Sequence, residues 1–195
     1  AFSLGLLAAF FFSFTFILNS QMNISGGSWV WSASLRYLFM LPILFIILLL
    51  KKEIKPVFKS IKSDPKSWFI WSTVGFGLFY APLSFASKYG ASWMVASTWQ
   101  ITIIAGALLS PLFFTITIGP NYIAHKRNSI PKKALYFSVI ILIGVFLIQV
   151  QQANNISFSQ ILFGVIPVII AAFAYPLGNR KMMDVCNNEL NTFQR

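Results

Sequence analysis

The sequence predicts an all-α integral membrane protein, and three observations carry that reading. Of its 195 residues, 57% are hydrophobic and only 10% are charged, where a soluble domain carries about 25% charged residues. Several apolar runs approach the roughly 20 residues that a helix needs to cross a hydrocarbon core about 30 Å thick. The basic residues then fall between alternate pairs of those runs. The 15 Lys+Arg against 4 Asp+Glu leave a formal net charge of +11. This composition excludes an ordinary soluble enzyme and a disordered segment. It also argues against nucleic acid, because a nucleic-acid binder sets its basic patch on a polar folded domain.

Six spans are expected, at Phe2–Leu18, Trp29–Leu50, Trp68–Ala86, Ser92–Ile118, Leu135–Val150 and Ile161–Leu177. Each exceeds the roughly 9–11 residues of a membrane β-strand and lacks its strict alternation, so helices are the expectation. Trp29, Trp31, Trp68 and Trp93 stand near span ends, where amphipathic rings favour the headgroup region. Pro42, Pro82, Pro111, Pro167 and Pro176 interrupt the spans. Membrane bundles tolerate such breaks where neighbours satisfy the freed carbonyls. The small-residue pairs Ser92/Ala96, Gly106/Ser110 and Ala174/Gly178 allow close helix contact.

Charge sets the expected orientation. Lys51, Lys52, Lys55, Lys59, Lys62 and Lys66 follow the second span. Lys126, Arg127, Lys132 and Lys133 follow the fourth, and Arg180 and Lys181 end the sixth. Segments 19–28 and 151–160 carry no charge, and 87–91 carries only Lys88. Cytoplasmic loops are enriched in Lys and Arg, so the N-terminus and loops 51–67 and 119–134 are expected on the cytoplasmic side of the cell membrane. The same lysines would attract anionic lipids of the bilayer. Cys186 is the single cysteine, which excludes a disulfide within the chain. Apolar sequence begins at Ala1 without a charged n-region or an A-x-A site, so the chain reads as an N-terminal fragment rather than as a signal peptide.

An offset of 160 residues lays the end of the first span over the end of the sixth, pairing Asn19 with Asn179 and Met22 with Met182. Five spans form an odd number, so a following unit would enter the membrane inverted, as in secondary transporters. Residues 1–150 then form one five-helix repeat, and 151–195 hold the first helix of an inverted second repeat and a cytoplasmic tail.

Three segments resemble the drug/metabolite transporter superfamily, in its ten-helix, two-repeat branch. They are Trp31-Ser32-Ala33-Ser34-Leu35-Arg36-Tyr37-Leu38-Phe39, Leu83 to Ser92, and Ser110-Pro111-Leu112-Phe113. Ala171 to Lys181 resembles the opening of the second repeat. The basic loops and aromatic first helix are most similar to the multidrug-resistance efflux transporters. The resemblance implies a secondary transporter, not an enzyme, that exports a small molecule with a coupling proton or cation and no cofactor. It equally admits a nucleotide-sugar or amino-acid type of metabolite transporter; a receptor or structural membrane protein is the remaining alternative. One departure is Ile118-Gly119-Pro120-Asn121, which stands where many relatives carry a Gly-Glu pair.

The polar residues narrow the chemistry. Glu53, Asp64, Asp184 and Glu189 all fall in expected cytoplasmic segments, as does the single histidine, His125. The first span offers only Ser13, Thr15 and Asn19, so a carboxylate that exchanges proton for cationic drug has no carrier there. No metal site is expected. The sequence also lacks the G-x-x-x-x-G-K-[ST] loop of ATP-driven pumps. Arg36 lies seven positions beyond Trp29, about 10 Å along the helix, where a charge is functional, paired or snorkelling. Gln100 occupies the middle of the fourth span. Trp99, Tyr80, Tyr89 and Tyr175 could offer aromatic faces. The candidate substrate-binding residues are therefore Arg36, Lys88, Tyr89, Trp99, Gln100 and Tyr175. The two cations without an acid tilt the expected substrate toward neutral or anionic compounds.

Overall fold

The computed structural model describes residues 2–118, 123–186, 190, 191 and 194. Apart from one small hairpin the described chain is helical. Helix α1 spans Phe2–Ile24 and α2 spans Trp29–Leu50. Between them the chain reverses at Gly26, whose φ of 85° suits a residue without a side chain. Ser28 caps α2 by accepting from the Val30 amide.

The lysine-rich connection is not a plain loop. Residues Ile54–Ser63 form helix α3, entered through Lys52 in the left-handed region. Ile54, Val57, Phe58 and Ile61 share one face and line an apolar cavity of about 480 Å³ with α2 residues including Leu41 and Leu48. Lys55, Lys59 and Lys62 occupy other faces. Such a helix suits the membrane interface, with its apolar stripe inward and its cations in the headgroups.

Helix α4 spans Pro65–Tyr89. It starts at Asp64, whose carboxylate accepts from the Ser67 amide at 3.1 Å. That bonding holds the Asp64 carboxyl below its ordinary value. A π-turn at Thr73–Gly77 interrupts α4. Helix α7 spans Lys132–Gln149, and α8 spans Phe158–Val185 with a second π-turn at Ile161–Val165. A reciprocal Ser157–Gln160 box caps the start of α8.

The fourth predicted span, Ser92–Ile118, is not one helix. It divides into α5 (Ser92–Trp99) and α6 (Ile101–Leu108), parted at Gln100. The Ser97 and Thr102 hydroxyls donate to the carbonyls of Met94 and Trp99, and such bonds distort a helical ladder. After a short turn at Ser110–Leu112, residues Phe114–Ile118 form strand β1, paired antiparallel with β2 (Ile123–Arg127). The Thr-Ile-Thr-Ile run is rich in β-branched residues, which favour a pleated strand. Among the described residues, five helices, α1, α2, α4, α7 and α8, are therefore long and apolar enough to cross a membrane. His125 belongs to β2. Gly119, Pro120, Asn121, Glu189 and Arg195 lie outside the described residues.

Helices α4 and α8 form the centre. A third of the most apolar window of each is buried, against 11% for α1 and α2 and 6% for α7. They touch backbone to backbone at Gly75 and Gly178, where an added Cβ on Gly178 would run into Gly75. At the opposite end Gly90 and Gly164 meet, with the Met94 methyl beside them. Each π-turn contributes one glycine to a crossing. Leu83, Ala86, Val95, Val168 and Ala171 fill the space between, all fully buried. The Phe10, Phe11, Leu41 and Phe146 side chains are exposed outward, as expected of a surface solvated by lipid.

The basic residues gather at one end. Lys181 donates to the Leu112 carbonyl at 3.3 Å, and Arg180 and Lys181 lie 5.2 and 5.5 Å from the Phe113 ring. Arg127 Nε donates to the Pro111 carbonyl. Asn191 donates to the Glu53 carboxylate at 2.8 Å. These contacts tie the hairpin, the end of α8 and the start of α3 together.

Candidate functional site

The six sequence-predicted residues separate into two groups and one isolated position. The central group is aromatic. Phe79 on α4 stacks on Trp99 of α5 at 5.1 Å and on Tyr175 of α8 at 4.9 Å, and Trp99 and Tyr175 approach to 5.7 Å. Phe12 of α1 reaches the same Trp99 at 5.9 Å. Trp99 is buried, whereas Tyr175 remains 39% exposed. Four helices thus share one aromatic wall with an open side. The orientation follows from the sequence: Phe12 and Phe16 are one turn apart on α1, and the break at Gln100 ends α5 at Trp99.

Arg36 joins this wall through Tyr80. Its guanidinium carbon lies 4.6 Å from the Tyr80 ring centroid, and Nη1 donates to the Thr15 hydroxyl at 3.4 Å. The Tyr80 hydroxyl donates to Asn19 Oδ1 at 3.4 Å. Thr15 and Asn19 stand one helical turn apart on α1 and meet Arg36 and Tyr80 respectively. Tyr37 packs edge-on against Tyr80 at 5.8 Å and donates to the Phe76 carbonyl at 3.3 Å. Asn19 and Tyr80 are buried, at 4% and 3% exposure, while Arg36 itself is exposed. Among the described residues Arg36 forms no ion pair. Its long stem and one-sided contacts place a fixed cation at the rim of a buried polar pair.

Lys88 and Tyr89 belong elsewhere. Lys88 Nζ lies 5.5 Å from the neighbouring Tyr89 ring, and Tyr89 stacks on Phe85 and Phe163 at 4.9 and 5.2 Å. Lys88 stands eight residues along α4 from Tyr80, about 12 Å at the helical rise. Both Lys88 and Tyr89 are exposed. Gln100 sits half-buried at the break between α5 and α6, away from both groups' contacts; the neighbouring Thr98 lines a separate cavity of about 350 Å³ between α5 and α7.

Sequence reading named Arg36, Trp99 and Tyr175 but not their union, and it treated Thr15, Asn19 and Tyr80 as separate polar residues. Their spacing was the available signal: Thr15 and Asn19 lie four apart in an otherwise apolar span. Among the described residues, no three His, Cys, Asp or Glu side chains gather as a metal site. The described acids Glu53, Asp64 and Asp184 all lie at the basic end.

Comparison with known proteins agrees with the membrane architecture. The chain is 52% identical over 192 residues to "Uncharacterized protein YjlA" of Bacillus subtilis (strain 168), covering 98% of this chain and 59% of that protein. It is 53% identical over 192 residues to "Uncharacterized 42.1 kDa protein in intracellular alkaline protease 3'region" of Shouchella clausii, covering 98% of this chain and 50% of that one. The chain thus spans between half and three-fifths of the length of these relatives. No solved structure matches it. The family model "EmrE: Putative multidrug resistance efflux transporter" matches residues 1–195, and the chain belongs to that family.

Proposed function

We propose that the protein is a secondary transporter that exports small molecules by alternating access, with substrate held against the Phe79–Trp99–Tyr175 wall. One observation carries this reading. Tyr175, on the last helix, closes an aromatic cluster with α1, α4 and α5 while keeping one side open. Aromatic faces that are half enclosed suit an amphipathic ligand. Family membership supports small-molecule efflux.

In this reading α5 and α6 together make the fourth of six crossings, broken at Gln100, as transporter helices are near their sites. Helices α1, α2, α4, the α5–α6 pair and α7 are the first repeat, and α8 opens an inverted second one. The basic end faces the cytoplasm and its lysines meet anionic lipid. The coupling species is a proton or cation. Lys88, Tyr89 and Gln100 are not part of the proposed binding wall.

Reconstitution of the full chain in liposomes, with imposed proton and sodium gradients and a panel of aromatic drugs, amino acids and nucleotide sugars, tests the proposal. Wild-type protein is expected to move at least one class. Trp99→Ala is expected to lower that flux about tenfold or more, the loss of one stacked ring of roughly 1.5 kcal/mol. Absence of saturable, gradient-driven flux for every class overturns it.

A further inference from the structure

The Arg36 group holds donors without an acceptor. Asn19 Oδ1 is taken by the Tyr80 hydroxyl, yet Asn19 Nδ2 is buried with no hydrogen-bond partner. Asn19 is only 4% exposed, so the amide sits where an unmade hydrogen bond destabilises the fold. Over the ring of the same tyrosine, the guanidinium carbon lies 4.6 Å from the centroid, and one N–H is spent on a long 3.4 Å contact with Thr15. Its remaining donors are open, because Arg36 is exposed. A buried hydroxyl, that of Ser84 one turn along α4 from Tyr80, is also without a partner. The described carboxylates are all at the other end of the bundle.

A cation over the Tyr80 ring, and the unpartnered N–H of an amide whose oxygen accepts from the same tyrosine, want a group that only accepts and carries negative charge. A carboxylate meets this: it is planar, it matches the guanidinium edge in bidentate fashion, and its remaining lone pairs suit an amide donor. A cationic drug would bring a like charge toward Arg36, which repels it. Phe79, adjacent to Tyr80 and edge-on to it at 5.6 Å, leads from this polar pair to the Trp99–Tyr175 wall.

We infer that Arg36, Asn19 and Tyr80 form an oxyanion subsite that takes the carboxylate of an amphipathic, aryl-bearing substrate. The inference rests on the proposed substrate wall, whose aromatic rings hold the rest of the molecule. Arg36 makes the ionic contact, Asn19 Nδ2 supplies a second donor, and Tyr80 fixes both by its ring and its hydroxyl. Thr15 steadies the guanidinium until substrate arrives.

The test uses three probes of nearly equal shape: 3-phenylpropionate, 3-phenylpropanamide and 3-phenylpropylamine. Their binding to the purified full chain is measured by calorimetry in a neutral detergent, and again in nanodiscs of phosphatidylcholine or phosphatidylglycerol. The acid is expected to bind at least about tenfold more tightly than the amide, the effect of one charge-assisted hydrogen bond. R36Q is expected to remove that preference and R36K to restore part of it, while amine binding holds or improves. Preference for the amine, no binding of the acid, or an equal loss of all three probes in R36Q overturns the subsite. Loss of acid binding only in phosphatidylglycerol assigns the guanidinium to a lipid headgroup and also overturns it. Arg36-dependent acid binding without flux in liposomes leaves the subsite standing and removes the transport reading instead.

Discussion

Among the described residues, Arg36 and Lys88 are the two cations outside the basic end, and both lie over a tyrosine, yet the two pairs differ in kind. Tyr80 beneath Arg36 is 3% exposed and is bonded to Asn19 of another helix. Tyr89 beneath Lys88 is 38% exposed and is simply the next residue in the chain. A cation over a desolvated ring contributes about 2 kcal/mol, and over an exposed one about 0.5–1. The first pair joins α1, α2 and α4; the second reaches beyond its own helix only where the exposed Tyr89 ring stacks on Phe163 of α8. A cation near a tyrosine therefore marks a site only when the ring is buried and its hydroxyl is bonded to another element.

The sharpest way to break this contrast is to remove the two rings. Tyr80→Ala removes a buried aromatic ring and is expected to destabilise the protein by about 3–5 kcal/mol, as for other buried aromatics. Tyr89→Ala is expected to stay below about 1 kcal/mol. Unfolding of the purified protein in mixed micelles by sodium dodecyl sulfate, followed by tryptophan fluorescence, measures both. Equal losses would erase the distinction between the groups.

The frame that carries both pairs is the crossing of α4 with α8, and its two ends should respond differently to one added methyl. At Gly178 the new Cβ meets the Gly75 backbone, which has nowhere to go. Gly178→Ala is expected to cost about 2–3 kcal/mol, the upper part of the overpacking range. At Gly164 the nearest atom is the end of the flexible Met94 side chain, with the Gly90 backbone at 3.2 Å. Gly164→Ala is expected to cost about 1 kcal/mol, because a thioether can swing aside. The same micelle titration ranks them, and the reverse order would place the rigid end of the crossing next to Lys88 instead.

A finer cut separates the stack from the hydrogen bond within the Arg36 group. Tyr80→Phe keeps the ring and leaves Asn19 Oδ1 without its donor. Interhelical hydrogen bonds in membrane proteins contribute about 0.6 kcal/mol and at most about 1.7, so the expected loss lies in that interval. An effect as large as that of Tyr80→Ala would show that the hydroxyl, not the ring, holds the three helices together.

Much of this was legible in the sequence, for identifiable reasons. Hydrophobic runs and lysine placement are one-dimensional signals, so five long helices and one basic end follow directly from them. The fourth span misled because Phe114–Ile118 is as apolar as a membrane helix, and hydropathy does not distinguish it from a β-branched strand. Gln100 drew notice as a polar residue in a span, but the break beside it arises from the Ser97 and Thr102 hydroxyls, which bond backward to carbonyls. Arg36, Trp99 and Tyr175 stood out as residue types, whereas Asn19 and Tyr80 gained meaning only when α1 met α4. Long-range pairing of ordinary residues leaves no trace in a single sequence.

The smallest expected effect is also the one that bears most directly on the contrast. Lys88→Gln removes a charge that is exposed and contacts only the exposed Tyr89. Surface substitutions of this kind stay within about 0.5 kcal/mol, so the micelle titration should hardly move. Binding of 3-phenylpropionate to K88Q should match wild type within about twofold, which is roughly 0.4 kcal/mol. A loss comparable to that of R36Q would mean that Lys88 senses the same bound anion across the roughly 12 Å of α4 that part them. Screening offers the discriminator: raising the salt concentration to 1 M shortens the Debye length to about 3 Å. A long-range contribution from Lys88 would then vanish, while the direct contact of Arg36 with a carboxylate would persist.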